Sequence, residues 1–286
     1  MQLLVHGGAG SRPDDPERRQ SVLDRAAAAG GDTNSPVDAV VEAVRTLESD
    51  PQFNAGVGSA VQSDGEIRTD AGLMFGDGTT GAACSMVGVE HAVEVARVVA
   101  EETPHILISG EHALDLARAK DIETDSDLWS EGTRERWDGV DNRSDDGVRE
   151  QLDWVHEQFG GIDTVGAVAT DGQRLAAATS TGGRWAALAG RVGDVPQVGS
   201  GFYATERAAA SATGAGEAIA RFGLARRVVD AVEDGDDPQT AAERTIRGFG
   251  TETGEEAGVI VLDSDGRVGS SFNSDGMQTA HTSGER

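Results

Sequence analysis

The sequence predicts a mixed α/β fold with helices packed on both faces of antiparallel sheets. Three observations predict it. Short apolar, β-branched runs cluster toward the two ends of the chain. Amphipathic runs of helical spacing lie between them. Gly, at 39 of 286 residues, supplies many tight turns and close backbone approaches.

The elements follow in order. Gln2 to His6 is a short buried strand running into the glycine turn Gly7-Gly8-Ala9-Gly10. Pro16 to Ala29 has helical character and stops at Gly30-Gly31. Ser35 is placed as an N-cap, with Pro36 at the first helical position and Asp38 three residues after the cap. Val37, Val40, Val41, Val44 and Leu47 then share one face. Residues 58–75 read as a hairpin turned at Asp64-Gly65. Ala82 to Val89 is a strand, His91 to Glu101 a helix, His105 to Ser109 a strand and Glu111 to Lys120 a helix.

Residues 121–149 are acidic and lack an apolar period, which predicts a solvated, mobile connector. A short helix is expected over Val148 to Phe159. Strands return at Thr164 to Ala169 and Leu175 to Thr181, around a turn at Asp171-Gly172. Tyr203 to Ala212 reads as one strand, and Glu217 to Val232 and Pro238 to Phe249 as helices. Val259 to Leu262 and Val268 to Phe272 form a closing hairpin across Asp265-Gly266.

The net charge of −26 excludes a phosphate-neutralising surface, so nucleic acid is not an expected partner. Lys120 is the only lysine, and an acidic, lysine-poor surface is the composition of a protein that works at high salt, where like-charge repulsion is screened. The single cysteine, Cys84, cannot form an intrachain disulfide and sits in an apolar run, which predicts a buried small hydrophobe. The N-terminal stretch lacks the basic region and apolar length of a signal peptide, and no run reaches membrane-spanning length. A cytoplasmic protein with no membrane partner is the expectation. The sequon Asn142-Arg143-Ser144 is then a chance match.

Several motifs fail in context. Gly76-Asp77-Gly78-Thr79-Thr80-Gly81 fits the dinucleotide fingerprint, but a strand rather than a helix is expected after it. The six histidines (His6, His91, His105, His112, His156 and His281) are scattered without ligand-like spacing. There is no serine nucleophile elbow.

The informative residues run from Gly161-Ile162-Asp163-Thr164-Val165-Gly166 through Ala178-Thr179-Ser180-Thr181-Gly182-Gly183 and Gly190-Arg191-Val192-Gly193-Asp194 to Ala212-Thr213-Gly214-Ala215-Gly216. With His6-Gly7-Gly8-Ala9-Gly10, Phe53-Asn54-Ala55-Gly56-Val57-Gly58, Thr103-Pro104-His105 and the Phe272–Met277 segment, they resemble the plant-type asparaginase and isoaspartyl peptidase family. The resemblance implies one N-terminal-nucleophile domain, a four-layer αββα sandwich spanning 1–286. It further implies self-cleavage before Thr164 into an α chain, 1–163, and a β chain, 164–286, with two such units forming a dimer. The chemistry requires the break: a threonine hydroxyl needs an adjacent base, and the freed α-amine, with a pKa near 7.7–8.0, can be that base where an amide cannot.

The resemblance carries roles by position. Thr164 is the nucleophile and Thr181 its hydrogen-bond partner. Arg191 pairs with the substrate α-carboxylate and Asp194 with its α-ammonium. Thr213 and the Gly214 N–H form the oxyanion hole. Gly216 offers a backbone contact, and Asn54 positions the nucleophile or a water. Backbone carbonyls of Leu47, Glu48, Asp50, Phe53, Ala55 and Val57 are implied to hold a structural sodium ion; no other cofactor is required. The substrates implied are small: L-asparagine and β-aspartyl dipeptides. Asp163 departs from the glycine usual in the asparaginase branch and is more like glycosylasparaginase, so a glycosyl-asparagine hydrolase is the alternative. An unprocessed, non-catalytic homologue is a third reading, against which the complete residue set speaks.

Overall fold

The computed structural model describes residues 1–140, 152, 154, 155, 158, 160, 161 and 163–283. Strand β1 (Gln2–Gly10) opens the chain and runs straight through the expected glycine turn. Its pairing register shifts between His6 and Ala9, so the glycines make a bulge rather than a reversal. Helix α1 (Pro16–Gly31) starts at Asp15, whose carboxylate accepts the Arg18 N–H at 3.0 Å. Helix α2 (Pro36–Glu48) starts at Ser35, whose hydroxyl accepts the Asp38 N–H at 3.1 Å, as the capping pattern predicts.

The expected 58–75 hairpin is reduced to one bridge, Val61 to Ile67, around Asp64-Gly65. The following β2 (Arg68–Phe75) is buried along its middle and pairs instead with β3 (Thr80–Val87), with the G-x-G-x-x-G residues forming the turn and the start of β3. Cys84 in β3 is buried, as expected. Helix α3 (Ala92–Glu102), the two-residue β4 (Ile108–Ser109) and α4 (Glu111–Ala119) follow.

The expected connector is largely exposed over its described part, 121–140, as a solvated segment should be, but it carries a helix and is anchored by a few buried residues. Ser130 caps α5 (Glu131–Asp138), and Leu128 and Trp137 are buried. Trp137 makes edge contacts with Trp154 and Trp185, at ring centroid distances of 6.2 and 6.0 Å. These aromatics are too far apart in sequence to give a helical period, which is why charge dominated the reading. Residues 141–149 of that connector lie outside the described residues, as does most of the helix expected at 148–159; Leu152, Trp154, Val155 and Gln158 are helical.

Strands β5 (Val165–Thr170) and β6 (Leu175–Thr181) match the sequence expectation. The single strand expected at 203–212 is a hairpin, β7 (Phe202–Ala204) and β8 (Ala208–Gly214), reversed where the Thr205 N–H donates to the Ala208 carbonyl. The helix expected over 217–232 is two, α6 (Gly216–Phe222) and α7 (Leu224–Glu233), because Gly223 takes a left-handed φ of 70°. Helix α8 (Pro238–Thr253) and strands β9 (Ala257–Asp263), β10 (Val268–Phe272) and β11 (Gly276–Ser283) complete the chain; β11 was not foreseen.

One sheet has the order β11-β1-β5-β6-β2-β3-β4 and the other β10-β9-β8-β7. They pack face to face through Leu4, Met74, Val168 and Leu175 against Phe202, Ala209, Ile260 and Leu262. The approach is close: a Cβ on Gly72 would lie 2.1 Å from the Phe202 ring. Helices α1 to α4 cover the outer face of the first sheet, and α6 to α8 that of the second. The fold is therefore a four-layer αββα sandwich. Among the described residues no helix is long and apolar enough to cross a membrane.

Candidate active site

Residues from both halves of the chain meet at one end of the sandwich. Thr164 lies just before β5 and Thr181 ends β6, and the register pairing Val165 with Ser180 brings them together. Both are buried, and the Thr164 hydroxyl lies 3.3 Å from Thr181 Oγ1. Thr179, two residues earlier on the same strand, is used differently: its Oγ1 meets Ser211 Oγ at 2.7 Å and donates to the Gly201 carbonyl at 3.0 Å. The motif's choice of Thr181 over Thr179 is the one that reaches Thr164.

The carbonyl oxygen of Asp163, in the bond before Thr164, accepts from Asn54 Nδ2 at 2.8 Å and from the Thr181 hydroxyl at 3.3 Å. Asn54 is fixed by its surroundings. Its Nδ2 also donates to the Gly183 carbonyl at 2.6 Å, and its Oδ1 accepts the Ala60 N–H at 2.8 Å. The Asp163 carboxylate accepts from Arg19 at 2.7 Å and from the Thr164 N–H at 3.2 Å. Burial outweighs both partners and pushes the Asp163 carboxyl up to about 6. Gly8, at φ +114°, leaves the room it occupies: a Cβ there would lie 1.2 Å from Asp163 Oδ1.

Arg191 and Asp194 stand on the turns after β6. Arg191 Nε donates to Glu217 at 2.8 Å, and Glu217 also accepts from Arg184 at 3.2 Å. Burial opposes the charge on Glu217, but the Arg191 hydrogen bond holds it down at about 2. Arg191 Nη2 and Asp194 Oδ2 are both buried without a hydrogen-bond partner among the described residues. Burial raises Asp194 to about 6 against the pull of Arg191. Gly216 closes on this pair: a Cβ there would meet Asp194 Oδ1 at 2.6 Å and Arg191 Nη2 at 2.7 Å. Two buried polar groups of opposite charge, each with an atom left unpartnered, suit a small zwitterion.

Thr213 and Gly214 end β8. The Thr213 hydroxyl oxygen accepts the Ala9 N–H at 3.2 Å, beside Gly8, so its proton is left to donate elsewhere. His6, buried and pushed down to about 3 by that burial, meets Ser211 Oγ at 2.8 Å and is a neutral tie between the sheets.

The loop after α2 folds back on itself. The Val57 N–H donates to the Glu48 carbonyl at 2.8 Å, Phe53 to Asp50 at 3.2 Å and Asp50 to Leu47 at 3.2 Å. Gly56, at φ +58°, brings its backbone so close that a Cβ would sit 2.2 Å from the Glu48 oxygen. The Glu48 and Asp50 carbonyls each accept one of these bonds, while the Leu47 carbonyl accepts from both Ser49 and Asp50.

An open pocket of about 920 Å³ lies over this end, lined by Gly8, Arg12, Arg19, Asn54, Asp163 and Gly183 among others. Asp163 lines it and Thr164 does not. Three residues escaped the sequence reading. Arg19 is inside a helix and carries no local signal. Glu217 was placed only as the first residue of a helix. Asp70 is buried, opposite Thr181 in the ladder between β2 and β6, and burial raises it to about 7.

The site can be compared with known proteins. The chain is 38% identical over 297 aligned residues to a plant-type L-asparaginase of Pyrococcus furiosus, covering 98% of this chain and 95% of the relative. It is 39% identical to a plant-type L-asparaginase of Pyrobaculum calidifontis, covering 96% and 94%. It is 36% identical to an isoaspartyl peptidase/L-asparaginase of Danio rerio, covering 95% and 89%. The family model described as asparaginase matches residues 1–286, so with the sandwich and the threonine cluster in place, the chain belongs to the asparaginase family of hydrolases.

Proposed function

We propose that this chain cuts itself between Asp163 and Thr164 and then hydrolyses L-asparagine and β-aspartyl dipeptides through an ester on Thr164. One observation carries the reading: the Asp163 carbonyl is held by Asn54 and Thr181 while the next residue's hydroxyl lies against Thr181. In self-cleavage the Thr164 oxygen attacks that carbonyl carbon, and the Asn54 amide and Thr181 hydroxyl support the oxygen as it gains charge. The C–N bond breaks with protonation of the nitrogen, and water hydrolyses the resulting ester. Thr164 is left with a free amine and Asp163 with a carboxylate.

In turnover the amine takes the Thr164 hydroxyl proton as the oxygen attacks the substrate's side-chain carbonyl. Arg191 Nη2 binds the α-carboxylate and Asp194 Oδ2 the α-ammonium; Glu217 anchors Arg191 from behind. The Thr213 hydroxyl and Gly214 N–H stabilise the oxyanion. Ammonia or an amino acid leaves with the proton, and water releases aspartate. The loop carbonyls of Leu47, Glu48, Asp50, Phe53, Ala55 and Val57 would hold a sodium ion, whose contribution is to stiffen the loop that carries Asn54. The test is mass spectrometry of the purified protein, followed by kinetics on L-asparagine and β-Asp-Leu. An intact chain that turns over both substrates overturns the mechanism.

A further inference from the structure

The Asp163 side chain occupies a seat built for a carboxylate. Arg19 Nη2 donates to Asp163 Oδ2 at 2.7 Å, and the same nitrogen donates to the Gly7 carbonyl. The guanidinium lies over the Phe53 ring, 4.8 Å from its centroid. Its Nε is buried with no partner among the described residues, and the side chain is only 12% exposed. Arg19 is therefore held in place by Gly7 and Phe53, independently of Asp163. Gly8 supplies the space beside it. The seat opens to the large pocket, which Gly8, Arg19 and Asp163 all line.

Cleavage at Asp163 removes the covalent tether that holds this carboxylate. When the end of the α chain departs, a largely buried cation faces the pocket without its anion, a state that favours any carboxylate able to reach it. A β-aspartyl dipeptide carries one the same number of bonds from its attacked carbonyl, on the leaving side rather than the acyl side. In Asp163 three bonds separate the attacked carbonyl carbon from the carboxyl carbon, through Cα and Cβ. In the dipeptide three bonds separate the attacked side-chain carbonyl carbon from the terminal carboxyl carbon, through the scissile nitrogen and the leaving residue's Cα. Asparagine, which releases ammonia, has nothing to place there.

We propose that, after self-cleavage, the Arg19–Gly8 seat binds the terminal carboxylate of the leaving residue and makes Arg19 the specificity determinant for β-aspartyl dipeptides over amidated or longer peptides. This rests on the hydrolase reading above. It is tested by crossing two enzymes, unmodified and Arg19→Gln, with three substrates: L-asparagine, β-Asp-Leu and β-Asp-Leu amide. Cleaved unmodified enzyme should prefer the acid over the amide by about 10- to 100-fold in kcat/KM, mainly through KM. In cleaved Arg19→Gln that ratio should fall toward one, with partial recovery in Arg19→Lys. If Arg19→Gln does not process, the acid-to-amide ratio of the unmodified enzyme decides. Equal rates on acid and amide, beside normal asparagine turnover, overturn the seat alone. Loss of turnover on all three substrates overturns the hydrolase reading and the seat with it.

Discussion

Asn54 Nδ2 lies 2.8 Å from the carbonyl oxygen of Asp163, although 109 residues separate them. The donor is aimed at the atom that gains charge if Thr164 attacks. Asn54→Ala should slow self-cleavage by about 10²–10³-fold, the usual loss for one such donor. The fraction of cut chain against time on a denaturing gel measures it, and cleavage at the unmodified rate would remove Asn54 from the step.

Thr164→Ala should leave one chain of 29.6 kDa with no asparaginase activity. The unmodified protein should give fragments of about 17 and 13 kDa, taking about 0.1 kDa per residue. Intact mass spectrometry distinguishes the outcomes directly.

Gly8→Ala puts a methyl group into space held by Asp163 Oδ1, at a φ that L-residues rarely adopt. The uncut form should lose about 1–3 kcal/mol of stability and cleave slowly, because the Asp163 side chain is displaced. Thermal unfolding and gel analysis of the same preparation test both effects.

In the proposed function Asp194 binds the substrate ammonium, which requires it as a carboxylate. With its pKa raised to about 6, Asp194 is protonated below that pH, so kcat/KM for asparagine should fall as pH drops through about 6. The Thr164 amine must be neutral to accept a proton, which adds a second ionisation at about 7.7–8.0 on the same limb. A pH–rate profile shows whether there are two; Asp194→Asn should abolish the lower one along with most of the activity.

The charge of −26 leads to one further expectation. Screening by KCl should raise the melting temperature between about 0.1 M and several molar. A flat or falling response would show that the acidic surface is not an adaptation to salt.

Thr164, Thr181, Arg191, Asp194 and Thr213 were named through the family resemblance, and the fold brings Thr164 against Thr181 and sets Arg191 and Asp194 around Gly216. The capped start of α2 was legible because Ser35, Pro36 and Asp38 act within one turn. What stayed hidden depends on distant partners. The bulge at Gly7-Gly8 appears only once β11 pairs with β1. The break at Gly223 is masked by apolar residues on both sides that continue the helical period. Arg19 acquires meaning only from Asp163, 144 residues away.

The strand order has a consequence for the finished molecule. In β11-β1-β5-β6-β2-β3-β4, the strands before residue 163 (β1 and β2 to β4) alternate in blocks with those after it (β11 and the pair β5, β6). A cut at that point would turn three hydrogen-bonded seams into contacts between separate polypeptides, yet neither piece could leave without tearing a sheet. Maturation is then a one-way commitment. Once denatured, the two polypeptides must find each other again, so recovery should depend on concentration in a way that the single-chain precursor escapes.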